Sequence, residues 1–201
     1  GPEQNVAWKT PMPDWSNASP ILVEGRLYVC SEPYDILCVD AGDGKILWRK
    51  SNAYTDLASP GPDLSRRIRQ EVARDSILLR QEKAIGKEHS KLRKQAKADT
   101  GNSELKAQIK AKGKEISEVK AKREALQFAG KVRDWPTHRT NGYTSRTLVS
   151  DGKHVYGSLG NGMVVCYDLD GNLKWYVQHK PTFHVWGESS SPVLAHDKVI
   201  V

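Results

Sequence analysis

Between Ser19 and Trp48 the apolar positions come in short runs: Ile21-Leu22-Val23, Leu27-Tyr28-Val29, Ile36-Leu37-Cys38-Val39 and Ile46-Leu47-Trp48. Glu24-Gly25, Glu32-Pro33 and Gly42-Asp43-Gly44 separate them. Such runs, bounded by Gly, Pro and Asp, predict strands joined by tight turns. Asp-Gly at 43–44, 151–152 and 170–171 supplies the positive φ that those turns require. The pattern then recurs over 145–175. Cys166-Tyr167-Asp168 matches Cys38-Val39-Asp40, and Gly171 to Trp175 matches Gly44 to Trp48. Pro20 aligns with Arg146 and Pro192, so Ser191 to Val201 opens a third copy, while residues 4–10, around Trp8, read as the outer strand of a preceding one. Trp8 and Trp48 lie 40 residues apart, which sets the period. One unit is therefore a four-stranded antiparallel meander of the size of a propeller blade.

From Leu64 the period changes. Leu64, Ile68, Val72, Leu78, Ile85 and Leu92 recur at helical steps, and Pro62 can open the helix. Residues 98–102 break the pattern, and Ser103-Glu104 starts a second helix whose apolar seam is Leu105, Ile109, Ile116, Val119 and Leu126. Asp75, Glu82 and His89 interrupt the first seam; Lys112 and Arg123 interrupt the second. Helices joined by so few residues fold back as an antiparallel hairpin resembling a short coiled coil with an impure core. Folding about residues 100–101 pairs Ile109 with Leu92 and Ile116 with Ile85. A helix this long, roughly 50 Å at about 1.5 Å per residue, must stand clear of a blade. Its first part, with Leu64, Ile68 and Val72, is expected to rest on the sheets.

The expected fold is thus mainly β: propeller blades in a partial ring, carrying an inserted antiparallel α-helical hairpin. Three segments follow: 1–61 (blade one and the end of its predecessor, with 51–62 a linker), 62–130 (the hairpin) and 131–201 (blade two and the start of blade three). Two whole units and two fragments leave open sheet edges. The chain is then expected to be part of a longer propeller, or to complete a ring with other copies.

Charge sharpens this division. Of the chain's 201 residues, 31 are Lys or Arg and 24 Asp or Glu; residues 62–130 hold 18 and 10 of these, a balance of +8 that leaves the remainder at −1. The basic character belongs to the hairpin. Apolar seams and few aromatics argue against nucleic acid there; Lys106, Lys110, Lys112, Lys114, Lys120 and Lys122 offer a contact for an acidic protein or a membrane surface, with a merely solvated face of interleaved charges as the plainer alternative. Cys38 and Cys166 occupy equivalent strand positions and read as buried small hydrophobes. Cys30 and Cys38 flank one hairpin, where a cross-strand disulfide is the alternative to free thiols.

The pattern S-P-x-x-x-x-G-x-x-Y-V, then C-x-D, then G-x-x-x-W resembles the pyrroloquinoline-quinone-like β-propeller repeat, over about 1–50 and 131–201. That family includes quinoprotein dehydrogenases, the propeller lipoprotein of the outer-membrane assembly machine and many exported bacterial proteins. The resemblance implies that Trp8, Trp48 and Trp175 dock on a neighbouring blade. It also implies an extracytoplasmic setting. A quinone enzyme would carry a vicinal disulfide and Glu, Asn and Asp around calcium. No adjacent Cys pair is present, so no cofactor is expected.

One constellation remains. His138 and His184 each lie eight residues before equivalent inner-strand positions, and Arg139, Trp186, Glu188 and Trp15 fall in loops of the same kind. Together they make a polar and aromatic binding surface, with loop capping as the plainer alternative. The expected function is a non-enzymatic binding or assembly scaffold with protein partners, presenting these loops and the hairpin. The alternative is the propeller portion of a quinoprotein dehydrogenase or carbohydrate-active enzyme whose site lies outside this chain.

Overall fold

The short apolar runs form strands. In the computed structural model, which describes residues 5–133, 137–179, 186 and 189–201, β1 (Ile21–Val23), β2 (Arg26–Ser31), β3 (Asp35–Asp40) and β4 (Ile46–Ser51) pair in chain order as one antiparallel sheet. β5 (Val149–Ser150), β6 (His154–Ser158), β7 (Met163–Asp168) and β8 (Leu173–Gln178) repeat that order in a second sheet. β9 (Val193–Ala195) and β10 (Lys198–Ile200) form a two-stranded hairpin. The two large sheets agree down to a defect: the last strand pair shifts register between Cys38 and Val39 in one, and between Cys166 and Tyr167 in the other. The chain divides into two compact units, Gly1–Ser59 with Asp134–Val201, and Pro60–Arg133.

Alternation along the strands gives each sheet two faces. Tyr28, Cys30, Ile36 and Cys38 from the first sheet join Val155, Met163, Val165 and Tyr167 from the second in one core. Asn52 is fully buried at its edge. Its Nδ2 donates to the carbonyls of Tyr34 (2.8 Å) and Lys50 (3.0 Å), and its Oδ1 accepts from the Tyr167 hydroxyl at 2.7 Å. All its polar atoms are partnered, so its burial costs little.

Two tryptophans dock in the same way. Trp48 Nε1 donates to the Leu169 carbonyl at 3.1 Å, and its ring lies against Gly171, where a Cβ would come within 2.9 Å of it. Gly171 also has φ +81°, so the turn needs glycine twice over. One unit earlier, Trp8 Nε1 donates to the Ala41 carbonyl at 3.0 Å, and a Cβ on Gly44 would meet the Trp8 ring at 2.5 Å. The starts of successive units are linked as well: Ser19 N donates to Thr147 Oγ1 (3.3 Å), and Thr147 N to Ser191 Oγ (2.9 Å).

Three expectations need correction. Residues 5–10 take no strand conformation, although Trp8 docks. The segment expected as a linker holds a short helix, α1 (Tyr54–Ala58), ended by Ser59 in the left-handed region. Cys30 and Cys38 are not opposite each other, because the register pairs Cys30 with Ile36 and Cys38 with Tyr28; both, and Cys166, are free buried thiols. Burial pushes the Cys30 thiol up to about 12 and raises Cys38 and Cys166 too. Since the thiolate is the reactive form, all three should resist an aromatic disulfide reagent at pH 8 and react together in guanidinium. A fast thiol in native buffer would contradict this burial.

The second unit is built on α2 (Pro62–Ala98), α3 (Ser103–Glu124) and α4 (Ala129–Val132). Asn102 caps α3, its side chain accepting from Leu105 N at 3.0 Å. α3 runs antiparallel along α2, as the cross-helix ion pairs show: Lys112 meets Glu88, and further back Arg123 meets Asp75 and Glu82. Of the interruptions read in the two seams, Asp75, Glu82 and Arg123 are therefore each other's partners, while Lys112 pairs with Glu88 and Glu115. Arg123 Nε donates to Asp75 at 2.8 Å and its Nη1 to Glu82 at 2.6 Å, while Arg133 reaches the same Asp75 at 2.7 Å. The seam passes through Glu71 rather than Val72. The Glu71 carboxylate accepts from Phe128 N (2.6 Å) and Ala129 N (3.2 Å), and Val72 is left 39% exposed. Ile68 is buried, and α4 packs along the start of α2.

Candidate functional site

Of the six loop residues singled out by sequence, His184 and Glu188 lie outside the described residues. The structure links the other segments through one residue the sequence reading passed over, Glu32. This glutamate opens the β2–β3 turn and is almost fully buried. Its backbone N donates to the Trp15 carbonyl at 2.9 Å. Its Oε1 accepts from Tyr143 N and Thr144 N, each at 2.8 Å, and from Thr144 Oγ1 at 2.5 Å. Gly142 lets the chain lie directly on this carboxylate, where any side chain would collide with it.

Around Glu32 the two loops are tied repeatedly. Ser16 Oγ donates to the Thr144 carbonyl at 2.8 Å, and Asn17 Nδ2 to the Thr140 carbonyl at 2.5 Å. The His138 carbonyl takes Asn141 N and Gly142 N at 3.0 and 2.8 Å, closing a turn. The His138 ring lies 4.7 Å from that of Trp186, and Asn141 Nδ2 donates to the Trp186 carbonyl. Trp15 and Trp186 present 43% and 60% of their surface to solvent, and Arg139 is exposed. The arrangement is a fixed, hydrogen-bonded loop cluster offering aromatic rings and a cation. Among the described residues no group of His, Cys, Asp or Glu is placed to hold a metal ion.

His138 caps its loop, as one of the two readings expected: its carbonyl takes the Asn141 and Gly142 amides, its ring Nδ1 accepts from Thr140 N at 3.3 Å, and the ring lies beside Trp186. The Asn141-Gly142 dipeptide was the available signal for this turn. Glu32 was hidden because a buried carboxylate cannot be told from a surface one without its donors. Glu32→Ala should cost about 2–3 kcal/mol in denaturant unfolding, since three donors lose a charged acceptor. Glu32→Gln, which keeps one carbonyl oxygen, should recover part of that loss. Equal stability of wild type and alanine variant would show the loops to be held by other contacts.

A second recess, about 400 Å³, is bordered by Tyr156 and Trp175 of the second sheet and Leu194 and Lys198 of the β9–β10 hairpin. Tyr156 and Trp175 stand 6.1 Å apart, repeating the Tyr28–Trp48 pair at 5.8 Å. Asp151 closes its rim. Burial pushes its carboxyl up, but the Lys153 and His154 amides, the His154 ring and the Tyr156 hydroxyl outweigh this and hold it well below the usual carboxylate range.

No curated protein matches the chain. The family described as outer membrane protein assembly factor BamB matches residues 3–201, covering both sheets and the helical unit. With its iterated meanders and their docking tryptophans, the chain belongs to this family of pyrroloquinoline-quinone-like repeats.

Proposed function

We infer that the protein is a non-enzymatic assembly scaffold built on a β-propeller of pyrroloquinoline-quinone-like repeats. The observation that carries the reading is the docking of Trp8 and Trp48 on the turns of successive units. An interface used twice with the same geometry propagates, and meanders that propagate by their faces make a ring. The link from Ser19 through Thr147 to Ser191 favours innermost strands lying side by side, as around a propeller axis. The ring is completed by further units of a longer chain or by other copies. Membership of a family described by an outer membrane protein assembly factor favours protein partners and an extracytoplasmic setting. The contact surface is the loop cluster of Trp15, His138, Arg139 and Trp186, and the helical unit is a second one.

A photo-crosslinking amino acid placed at Trp15 or Trp186, in cells, should yield discrete protein adducts; the same probe at Lys153, in the β5–β6 turn, should not. Adducts absent at both tryptophans, or equally strong at Lys153, would end the loop-cluster assignment. The scaffold binds no cofactor. Titration with pyrroloquinoline quinone and calcium should leave absorbance and melting temperature unchanged, and a saturable shift would favour a dehydrogenase instead.

A further inference from the structure

The structure sorts the charges of the helical unit by side. From Glu71 onward the acidic residues of α2 turn toward the rest of the unit: Glu71 holds the start of α4, Asp75 and Glu82 hold Arg123, and Glu88 pairs with Lys112. The partly buried positions of α2 recur at steps of three and four, through Ile68, Glu71, Asp75, Leu78, Glu82, Ile85, His89, Leu92 and Ala96. The positions farthest from that seam carry Arg69, Arg80, Lys83, Lys87, Lys91, Lys94 and Lys97, all exposed. Arg66 begins the same row and pairs with Asp63 one turn back. No Asp or Glu falls on this face between Arg69 and Lys97; the residues between the cations are Ala73, Ala84, Ser76, Ser90, Gln70 and Ile77. The outer face of α3 differs, because Lys114 is matched by Glu118, and Glu104 and Glu124 are exposed beside the lysines.

We propose that the outer face of α2 docks on an anionic lipid surface. This rests on the reading of the helical unit as a contact surface and names what it contacts. Seven cations along roughly 40 Å of one continuous helix, at about 1.5 Å per residue, match an extended plane of negative headgroups. The small residues between them let the row approach such a plane closely. Near an anionic surface each Lys or Arg adds to the attraction. The face has no aromatic side chain on which a nucleic-acid base could stack, and it has only three polar uncharged residues to read the shape of an acidic protein. Ile77 is its one large apolar residue, and among the described residues no helix is long and apolar enough to cross a membrane. The contact is therefore adsorption, sensitive to salt.

The test is co-sedimentation of the whole chain with vesicles of phosphatidylcholine alone or with 30% phosphatidylglycerol (about 3 in 10 lipids anionic, within the range where polybasic segments respond). Binding is expected only to the anionic vesicles and should fall as salt is raised. Replacing Lys83, Lys87, Lys91 and Lys94 by Gln should weaken it at least tenfold. The matching change on α3, at Lys106, Lys110, Lys114 and Lys122, should alter it less than threefold. Both sets are exposed, and unchanged helical circular dichroism checks that each variant is folded. Equal binding to neutral vesicles, equal loss from both variants, or capture by soluble polyglutamate with no vesicle binding would each overturn the proposal. The crosslinks at Trp15 and Trp186 are a separate readout, so loss of the lipid contact leaves the scaffold reading standing.

Discussion

Arg123→Met should lower the stability of the helical unit by about 2–3 kcal/mol, because Asp75 and Glu82 lose their shared cation inside the seam. For a unit of this size that is a fall of roughly 10 °C or more in the melt followed at 222 nm. Arg133 shares Asp75, so the quadruple change Arg123→Met, Arg133→Met, Asp75→Leu, Glu82→Leu should restore most of it. Replacing a whole buried ionic cluster with apolar side chains removes the desolvation cost together with the attraction. A quadruple variant less stable than the single one would mean the network contributes more than its own desolvation. The same cluster sets an acid limit. Burial pushes the Asp75 carboxyl up, but hydrogen bonds from Arg123 and the charges of Arg133 and Arg123 prevail and hold it below its ordinary value. A carboxyl lowered in the folded state stabilises fully above the unfolded value near 4 and loses that contribution as pH falls through the folded one. The helical melt should therefore be flat from pH 7 to about 5 and drop below about 4, and Asp75→Asn should flatten the drop.

Trp48→Ala should cost the sheets about 3 kcal/mol, and Trp175→Ala less than about 1 kcal/mol. The residues are equivalent in the repeat, yet their surroundings differ. Trp48 reaches the Leu169 carbonyl, stacks near Tyr28 and Tyr167 and lies on Gly171. Trp175 is 39% exposed beside an open recess. Gly171→Ala should reproduce most of the Trp48→Ala loss, since it combines strain at φ +81° with a Cβ inside the ring's contact distance. Urea midpoints followed by sheet circular dichroism measure all three. Similar losses for the two tryptophans would refute the docking account and return both to ordinary surface aromatics.

Most of the sheet architecture was legible, because the signal was repeated. One Gly-x-x-x-Trp run is weak, but Trp48 and Trp175 in register with Cys38 and Cys166 fix strand order and turn positions. The antiparallel helices were legible for a different reason: the seams are periodic even where they are polar. What those polar residues do was not legible. Asp75, Glu82, Lys112 and Arg123 read singly as flaws and become assets only when paired, and pairing is a property of two helices at once. Val72 misled because a single step of three rather than four moves the seam to Glu71. In the loop cluster, Trp15, His138 and Trp186 were visible as unusual residues. Glu32 and Asn141, which position them, were not, because their partners lie 111 and 45 residues away.

The order of elements has a kinetic consequence. Nearly a hundred residues separate Ser51 from Val149, and the two sheets must find each other across them. The helices in between depend mostly on neighbours in sequence and can form within microseconds to milliseconds, ahead of the slower sheets. Once α4 meets the start of α2, the span left to be closed is only about a quarter as long, which spares roughly 1 kcal/mol of closure entropy. The insertion shortens the search for a partner that it separates on paper.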